Sequence, residues 1–144
     1  MRGFEKVSYI DGGIIPKRGS KDSAGYDFST IEEVIIEPNK MVVCNTGIKA
    51  FMQEDEVLSL HVRSSIGIKK GIILANITGI IDSDYYNNED NEGHIMIALR
   101  NISNNTITLE KGEKIAQGIF NKYLVVDNEE ELEKRTGGIG STNK

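Results

Sequence analysis

The sequence predicts an all-β fold, a sandwich or a barrel, followed by a C-terminal arm. Nine short runs rich in β-branched residues recur along the chain, and most are separated by turn-forming stretches such as DGG, EPNK, SNNT and EKGE. Only two stretches favour a helix. Many short strands with turn signals at this spacing are typical of sandwiches and barrels. The 144 residues fit one domain that is long enough to bury a hydrophobic core.

The predicted elements follow one another along the chain. In the run VLSLHV, residues with even and odd numbers face opposite sides, which indicates a half-buried strand. The stretch SSIGIKKG predicts one or two helical turns that begin at Ser64 or Ser65 and stop at Gly71. The charged stretch 127–135 is a helix-permissive connector, so we expect a β domain over residues 1–126 and an arm over residues 127–144. The predicted strands are 7–10, 34–37, 41–44, 57–62, 71–76, 94–99, 106–109, 115–120 and 123–126.

The composition argues against several classes of protein. The formal net charge is −5 and no basic stripe is present, which is a poor match to duplex nucleic acid. No apolar run reaches the length of a membrane span, and the first ten residues lack the apolar core of a signal peptide. The single cysteine, Cys44, lies in an apolar run and predicts a buried thiol; His61 and His94 are expected on the surface or packed on strands. We therefore expect a cytoplasmic protein without nucleic-acid or membrane partners.

The densest group of reactive side chains lies in NITGIIDSDYYNNEDNEG, residues 76–93. A predicted strand leads into Asp82 and Asp84, whose side chains share one face if the strand continues. An EF-hand loop fails here because Asn87 stands where that loop needs glycine. An aspartic-protease loop fails because Asp84 takes the place of its glycine. From this stretch alone, a functional acid pair and a turn-initiating cluster without function both stay open.

Four further stretches carry candidate functional side chains. VRSSIGIKKG places an arginine, two serines and a glycine at a strand end, which is a candidate phosphate cradle or ordinary helix capping. Gln117 interrupts an apolar strand in KGEKIAQGIF, and SAGYDFST presents Asp27 on a small-residue turn. The tail RTGGIGSTNK could wrap a phosphate or could be an idle terminus. No Walker A motif, dinucleotide fingerprint or nucleophile elbow occurs in the sequence.

Taken in order, these stretches resemble the five motifs of the trimeric dUTP diphosphatase (dUTPase) family. They read AGYDFST (24–30), RSSIGIKKGI (63–72), NITGIIDSDY (76–85), KGEKIAQGIF (111–120) and RTGGIGST (135–142). The resemblance spans nearly the whole chain in the family's order and approximate spacing. It implies a jelly-roll-like β subunit in a homotrimer whose active sites each draw on all three chains. The flexible C-terminal arm would cross to a neighbouring subunit and close over the bound nucleotide.

The resemblance also implies the reaction. The enzyme would hydrolyse dUTP to dUMP and pyrophosphate, which limits uracil in DNA and supplies dUMP for dTMP synthesis. Asp82 would activate a water that attacks the α-phosphorus, while Mg²⁺, held mainly through the phosphates with no direct protein ligand, would offset charge. Asp27 would support the site through water or neighbouring side chains. The implied phosphate contacts are Arg63, Ser64, Ser65, Gly67 and Gln117, joined from the arm by Arg135, Ser141 and Thr142.

Base and sugar selection are implied by the same resemblance. A β-hairpin from Asn76 to Tyr85 would offer uracil a backbone donor at O4 and an acceptor at N3–H, a pattern that cytosine reverses. Tyr85 would pack under the deoxyribose and leave no room for a 2′-hydroxyl, and Met96 would add a backbone contact. The implied base and sugar contacts are Asn76, Gly79, Ile80, Ile81, Tyr85, Met96, Ile139 and Gly140.

Two features depart from the family pattern. Ile139 stands where the family usually carries a phenylalanine that stacks on uracil, and losing an aromatic contact weakens closure by about 0.5–1.5 kcal/mol. Loop 86–93, YNNEDNEG, is longer than the family's usual turn, which indicates either a plain extension or a surface for a protein partner.

Two alternative functions follow from related observations. A dCTP deaminase resembles the family in fold and in its Arg-Ser-Ser stretch, but it lacks the IDSDY hairpin and the glycine-rich arm. A catalytically silent or regulatory dUTPase-like protein would work by binding another protein. Silence is disfavoured, although a second role stays open, because the chain retains Asp82, Tyr85, Arg63, Gln117 and Arg135 together.

Overall fold

A computed structural model describes residues 1–140 and Thr142, and it confirms the all-β fold. Two short helical segments interrupt the strands of this described part: a π-helix at Ser65–Lys69 and a 3₁₀-helix at Ser83–Tyr85. No helix among the described residues is long and apolar enough to cross a membrane. The strands are β1 (Gly3–Lys6), β2 (Lys17–Arg18), β3 (Tyr26–Ser29), β4 (Val34–Ile36), β5 (Met41–Asn45), β6 (Ile48–Phe51), β7 (Glu56–Val62), β8 (Ile72–Leu74), β9 (Gly79–Asp82), β10 (Met96–Asn101), β11 (Ile107–Leu109) and β12 (Lys114–Lys122).

The strands pair antiparallel in sheets that enclose one core. The largest sheet has the order β2-β3-β12-β7-β9, and a second has the order β5-β10-β8. Two pairs, β1-β6 and β4-β11, complete the described part. Leu58 on β7 and Ile115 on β12 meet Cys44 on β5 and Leu99 on β10 in a single buried cluster. The core therefore lies between the two larger sheets, and the buried free thiol predicted for Cys44 is confirmed.

The first predicted strand is wrong in position. Residues 7–10 are irregular, whereas Gly3–Lys6 pairs with Ile48–Phe51 as β1 and β6. The ring of Phe4 lies 5.4–5.5 Å from the rings of Tyr26, Phe28 and Phe120. This aromatic contact stabilises β1. The hydrophobicity pattern did not reveal the strand, because charged residues surround its single large apolar side chain.

The last predicted strand, residues 123–126, does not form either. β12 ends at Lys122, opposite Glu56, and beyond it only Tyr123 N donates to Asp55 O, over 3.2 Å. Leu124 is consequently 96% exposed, and Val125 and Val126 are exposed as well. A run with strong β propensity needs a neighbouring strand to pair with, and this chain does not supply one here.

Three local predictions near the candidate site need revision. The stretch AGYDFST contains strand β3 rather than only a turn, because Phe28 and Ser29 are buried beside β12. A short helix follows Arg63 and stops before Gly71, whose φ is +67°, but Ser64 makes no capping hydrogen bond. β8 and β9 flank the turn at Asn76–Thr78 without pairing to each other. β8 pairs with β10 and β9 pairs with β7, so the predicted hairpin is a connection between two sheets.

Candidate active site

One group of candidate residues forms a row across the five-stranded sheet. Gln117 on β12 lies directly opposite Asp27 on β3 and His61 on β7. Directly opposite residues of antiparallel strands point to the same face, so the three side chains are neighbours. Arg63 follows the C-terminal end of β7, next to this row.

Asp27 holds the cations of this group in place. Its Oδ1 lies 3.1 Å from Arg63 Nε, its Oδ2 lies 3.7 Å from Lys114 Nζ, and only 10% of its side chain is exposed. A carboxylate already paired with two cations orients them and is poorly placed to ligate a further group. The Asp27 carboxylate therefore orients the Arg63 guanidinium.

The row opens into a cavity of about 470 Å³. Ser64 and Ser65 stand at the start of the short helix on its wall, and Lys69 adds a cation from the last turn of that helix. Gly67 lies inside the helix and does not line the cavity; a Cβ there would come 3.4 Å from Val62 Cγ2. Cations, hydroxyls and an amide around a concave surface suit a polyphosphate. The lining residues are Gly19, Ser23, Gly25, Asp27, Arg63, Ser64, Ser65, Ile68, Lys69 and Gln117.

Gly25 sets the position of the Gln117 amide. A Cβ at residue 25 would come 2.3 Å from Gln117 Oε1 and 3.0 Å from Gln117 Cβ. Such distances are well inside van der Waals contact, so any side chain at residue 25 displaces the glutamine. The glycine of the AGYDFST stretch is required by close packing.

A second cavity, of about 550 Å³, lies beside the turn that joins β8 to β9. The β8–β9 connection forms one wall, Met96 on β10 lies beside it, and the C-terminal arm forms the opposite wall. Ile139, exposed over 76% of its surface, stands on the arm side. The predicted arm residue Ser141 lies outside the described residues. The candidate residues that line this cavity are Asn76, Gly79, Ile80, Ile81, Asp82, Tyr85, Met96, Arg135, Ile139, Gly140 and Thr142.

Tyr85 is a fixed platform in this cavity. Its hydroxyl donates to His94 O over 2.8 Å and accepts from Asn91 Nδ2 over 2.9 Å. Only 5% of the residue is exposed, and this burial raises the pKa of the phenol. Burial and the two hydrogen bonds at its hydroxyl therefore hold the ring in one position.

Arg135 connects the arm to two carboxylates. Its Nη2 donates to Asp82 Oδ2 over 2.7 Å and its Nε donates to Asp84 Oδ1 over 2.9 Å. Its guanidinium also lies 5.6 Å from the centre of the Tyr85 ring. The Asp82 and Asp84 carboxylates therefore bind the same guanidinium, although the 3₁₀-helix at Ser83–Tyr85 ends strand β9 between them.

The chain matches the family model described as dUTPase over residues 11–143. It belongs to the dUTPase family. The deoxyuridine 5′-triphosphate nucleotidohydrolase of Lactococcus lactis subsp. lactis is 49% identical to it over 146 residues, which cover 99% of this chain and 97% of the relative. The crystal structure of the dUTPase of Streptococcus mutans is 45% identical with a TM-score of 0.82, covering 88% of this chain and 99% of that one.

A more distant structure shares the fold alone. A mutant of the dUTPase of phage phi11 of S. aureus, described for its coordination of a structural Mg(II) ion, is 21% identical with a TM-score of 0.76. The match covers 92% of this chain and 97% of that one. The comparisons confirm the resemblance on which the family was predicted, the jelly-roll-like fold and the enzyme class, that of the dUTP diphosphatases.

The five dUTPase motifs divide between the two cavities of the single chain. The first, second and fourth motifs surround the cavity of Arg63 and Gln117, whereas the third and fifth surround the cavity of Asp82 and Arg135. We call these the phosphate half and the nucleoside half. The lining of the two halves has no residue in common.

The two halves lie at opposite ends of one strand. Asp82 is paired with Val57 near the start of β7, and Arg63 follows its last residue, Val62. Along β7, Arg63 therefore lies six residues after the position opposite Asp82. At roughly 3.3 Å per residue of extended chain, these two positions are about 20 Å apart. That distance is too large for Asp82 to activate a water at a phosphate held by Arg63 of the same chain.

Two residues of the site escaped the sequence analysis. Lys69 lines the phosphate half, and its only signal was its place inside the RSSIGIKKGI motif. Asn91, which holds the Tyr85 hydroxyl, lies in loop 86–93, outside every motif. A contact between a loop amide and a tyrosine six residues away has no sequence pattern by which it could be recognised.

The part of this dUTPase chain that the structure describes does not build a protein cage for a metal. The described residues contain no group of three or more histidine, cysteine, aspartate or glutamate side chains able to hold an ion. The buried carboxylate of the phosphate half, Asp27, is already paired with Arg63 and Lys114. This arrangement fits a Mg²⁺ that arrives with a nucleotide and is held mainly by phosphate oxygens.

Proposed function

We propose that this dUTPase chain hydrolyses dUTP to dUMP and pyrophosphate at sites shared between the subunits of a homotrimer. The observation that carries the proposal is the division of the motifs into two half-sites about 20 Å apart along β7. Each half holds a different part of the chemistry, so a whole site needs the phosphate half of one subunit against the nucleoside half of another. In cells this reaction limits uracil in DNA and supplies dUMP.

The phosphate half is suited to bind the triphosphate. Arg63, oriented by Asp27, offers a planar fork of donors, while Ser64 and Ser65 add hydroxyls. Lys69 adds a second positive charge, and the Gln117 amide faces the same space. Gly67 contributes through the path of the helix backbone and not through a surface of its own. Mg²⁺ bound by the phosphates would neutralise charge that develops on them.

The nucleoside half is suited to select uracil and deoxyribose. The backbone between Asn76 and Ile81 borders the cavity and can present a donor to uracil O4 and an acceptor to N3–H. Cytosine has the opposite pattern and would leave buried groups unpaired. Tyr85 supports the sugar from below, and its fixed ring leaves no space for a 2′-hydroxyl. Met96 closes the cavity from β10.

Asp82 is the proposed general base. Half of its side chain is exposed, so a water molecule can reach the carboxylate. The water oxygen attacks the α-phosphorus, its proton passes to Asp82, and the bond from the α-phosphorus to the bridging oxygen breaks to release pyrophosphate. Arg135 Nη2 donates a hydrogen bond to the Asp82 carboxylate in the structure. We infer that Arg135, with Ser141 and Thr142, turns to the γ-phosphate when dUTP binds, which frees the base.

The trimer is supported by apolar surface that one chain leaves uncovered. Leu124, Val125 and Val126 form a continuous exposed run directly after β12. Met41 and Val43 are exposed on β5, and Val43 borders the nucleoside half. Contiguous apolar surface of this kind marks an interface in a protein that is otherwise charged. A neighbouring subunit would supply the strand that residues 123–126 lack.

The proposal is tested by pyrophosphate release from dUTP, dCTP, dTTP and UTP, with and without Mg²⁺. We expect selective hydrolysis of dUTP that requires Mg²⁺ and falls by at least about 10²-fold in Asp82→Asn, because the amide cannot take the proton. Uridine nucleotide formed from dCTP would establish a deaminase instead. Absence of turnover with all four nucleotides would favour a binding protein and would overturn the proposal.

A further inference from the structure

Loop 86–93 carries hydrogen bonds that fix Tyr85 at both ends. Tyr85 O accepts from Asn88 N over 3.3 Å and from Asn88 Nδ2 over 2.8 Å, and the Tyr85 hydroxyl accepts from Asn91 Nδ2 over 2.9 Å. Among the described residues that line the two cavities, none belongs to this loop, whereas Tyr85 lines the nucleoside half. The loop therefore reaches that cavity through Tyr85.

The side chain of Asn91 is held in one orientation. Its Oδ1 accepts from Asn88 Nδ2 over 2.8 Å and from Gly93 N over 3.0 Å. Because an amide oxygen faces these two donors, the amide nitrogen of Asn91 is directed to the Tyr85 hydroxyl. That hydroxyl donates to His94 O over 2.8 Å, which leaves its acceptor side for Asn91.

Asn88 holds the backbone around Asn91. It is buried, and its Oδ1 accepts from Asp90 N over 3.0 Å and from Asn91 N over 3.2 Å. Its Nδ2 donates to Tyr85 O and to Asn91 Oδ1, so both polar atoms of the Asn88 amide make two hydrogen bonds. A buried polar network in which every member is satisfied is rigid and specific.

Gly93 closes the loop against the residue at which it begins. Its φ is +86°, and a Cβ there would come 2.7 Å from Tyr85 O and 2.9 Å from Tyr86 Cα. Only glycine satisfies both the backbone conformation and this close approach. The loop is therefore a compact unit built on Tyr85 and not a plain extension of the turn.

Two contacts attach this unit to the rest of the chain. Glu92 Oε2 accepts from Ser8 N over 2.9 Å and from Ser8 Oγ over 2.8 Å. Lys49 Nζ on β6 donates to Asn87 Oδ1 over 2.6 Å. The donor that Asn91 presents to Tyr85 is thus fixed relative to the β-sheets.

We propose that Asn91 is a positioning residue for sugar selection, which its hydrogen bond to the Tyr85 hydroxyl exerts by keeping the ring in place. The proposal rests on the proposed function in one respect, the packing of Tyr85 beneath the deoxyribose. The extra length of loop 86–93 serves the selectivity of the enzyme's own nucleoside half.

Selection against a ribose by lack of space depends on the rigidity of the wall that excludes the hydroxyl. A pocket that can yield rejects a substrate with one additional hydroxyl only weakly. A Tyr85 ring whose hydroxyl has lost the Asn91 donor can move away from the sugar at a lower cost. The preference for dUTP over UTP therefore falls by about three- to ten-fold, the effect of one hydrogen bond.

The first test compares kcat/KM for dUTP with kcat/KM for UTP in the wild type, Asn91→Ala and Asn104→Ala. Asn104 is exposed between β10 and β11 and makes no side-chain hydrogen bond within the described part of the chain. We expect the ratio to fall by about three- to ten-fold in Asn91→Ala and to keep its wild-type value in Asn104→Ala. Equal ratios in the two variants would overturn the proposal.

Tyr85→Phe shows whether Asn91 acts through the hydroxyl. This variant keeps the ring and removes the hydrogen bonds to Asn91 and His94, so its ratio should fall at least as far as that of Asn91→Ala. Adding Asn91→Ala to Tyr85→Phe should then change the ratio by less than about two-fold. A wild-type ratio in Tyr85→Phe would overturn the proposal. Additive losses in the double variant would also contradict it, because they would mean that Asn91 acts through the fold of the loop.

Circular dichroism in the near ultraviolet follows the same contact without a nucleotide. The chain has five tyrosines and no tryptophan, so the tyrosine band is free of indole signals. We expect Asn91→Ala to lose part of the band that Tyr85→Phe removes, and Asn104→Ala to retain all of it. A wild-type spectrum in Asn91→Ala would show that the ring stays fixed without this hydrogen bond and would overturn the proposal. Failure of the wild-type enzyme to hydrolyse dUTP would be a separate result, since it would contradict the proposed function and leave this spectrum unchanged.

Discussion

Arg135 Nη2 donates to Asp82 Oδ2 over 2.7 Å, so the arm covers the carboxylate that the proposed mechanism uses as its base. Arg135 is only 12% exposed in its side chain, and Asp84 holds its Nε from the other side. A triphosphate carries several negative charges and competes with both carboxylates for this guanidinium. The proposed mechanism therefore couples substrate binding to release of the base.

We predict that Arg135→Lys raises KM for dUTP by about ten-fold or more, because an ammonium cannot contact two acids or a phosphate in the planar, forked manner of a guanidinium. Steady-state kinetics of pyrophosphate release would show the change. The control is Lys134→Ala, which removes the adjacent exposed charge and should alter KM by less than about two-fold. Equal KM values for Arg135→Lys and the wild type would exclude a phosphate contact by Arg135.

Gly25→Ala should reduce kcat/KM by at least about ten-fold while leaving the fold intact, because its methyl group would lie 2.3 Å from Gln117 Oε1 and displace that side chain. The mechanism predicts a specific non-additivity. In a Gln117→Ala background, the same Gly25→Ala change should have little further effect, since the clashing amide is gone. Additive losses in the double variant would mean that Gly25 acts through the backbone and not through Gln117.

Ile139→Phe should lower KM for dUTP by about two- to ten-fold, since a stacked aromatic contact contributes about 0.5–1.5 kcal/mol. Ile139 is exposed on the arm side of the nucleoside half, so a ring can face a bound base without repacking the core. Ile139→Leu serves as the matched control for side-chain volume. A KM for Ile139→Phe no lower than that of Ile139→Leu would show that this position does not reach the base.

Stability should decrease as the pH falls below about 6.5, because burial lowers the pKa of His94 below its usual 6.5. His94 Nε2 accepts from Gly47 N over 2.9 Å, and Nδ1 lies 2.9 Å from the Tyr9 hydroxyl, so the folded chain needs the neutral ring. The unfolded chain binds a proton near pH 6.5 while the folded chain does not. Stability is therefore complete above pH 6.5 and declines as the pH approaches the folded pKa.

Urea unfolding midpoints at pH 7.5 and 5.5, at one protein concentration, measure this effect. His94→Gln keeps an acceptor but cannot titrate, so its midpoint should change less between the two pH values. Glu56 and Glu92 have pKa values held below 4.5 by hydrogen bonds from Arg2 and from Ser8, and they titrate outside this window. Identical pH dependence in wild type and His94→Gln would contradict the assignment to His94.

The sequence predicted the fold class and the residue content of the site better than it predicted their arrangement. Strands such as β7 alternate clearly and were found, whereas β6 was missed because the buried Lys49 breaks its pattern. Residues 123–126 have the composition of a strand but no partner strand among the residues that the structure describes. A strand prediction from propensity cannot test for a partner, which is why this one failed.

The separation of the motifs into two halves could not be predicted from their order. Whether Asp82 lies near Arg63 depends on the register of β9 on β7, and a shift of a few residues would bring them together. The register is decided by packing between the strands. At Gly79, for example, an added Cβ would lie 2.9 Å from Leu60 Cβ, so only glycine fits opposite Leu60. The hydrogen bond from Gly138 N to Asp90 Oδ2 depends on the same tertiary arrangement.

The central claim, that one active site is built from halves of different subunits, is tested most directly by complementation. Arg63→Ala destroys the phosphate half and Asp82→Asn the nucleoside half, so each variant alone should be inactive. Refolded together in equal amounts, they should recover about one quarter of wild-type dUTP hydrolysis, the fraction of sites that pair two intact halves. Mixing Asp82→Asn with the Arg63→Ala/Asp82→Asn double variant should recover nothing. No recovery from the first mixture, in trimers shown to contain both chains, would mean that each chain carries a whole site and would contradict the account.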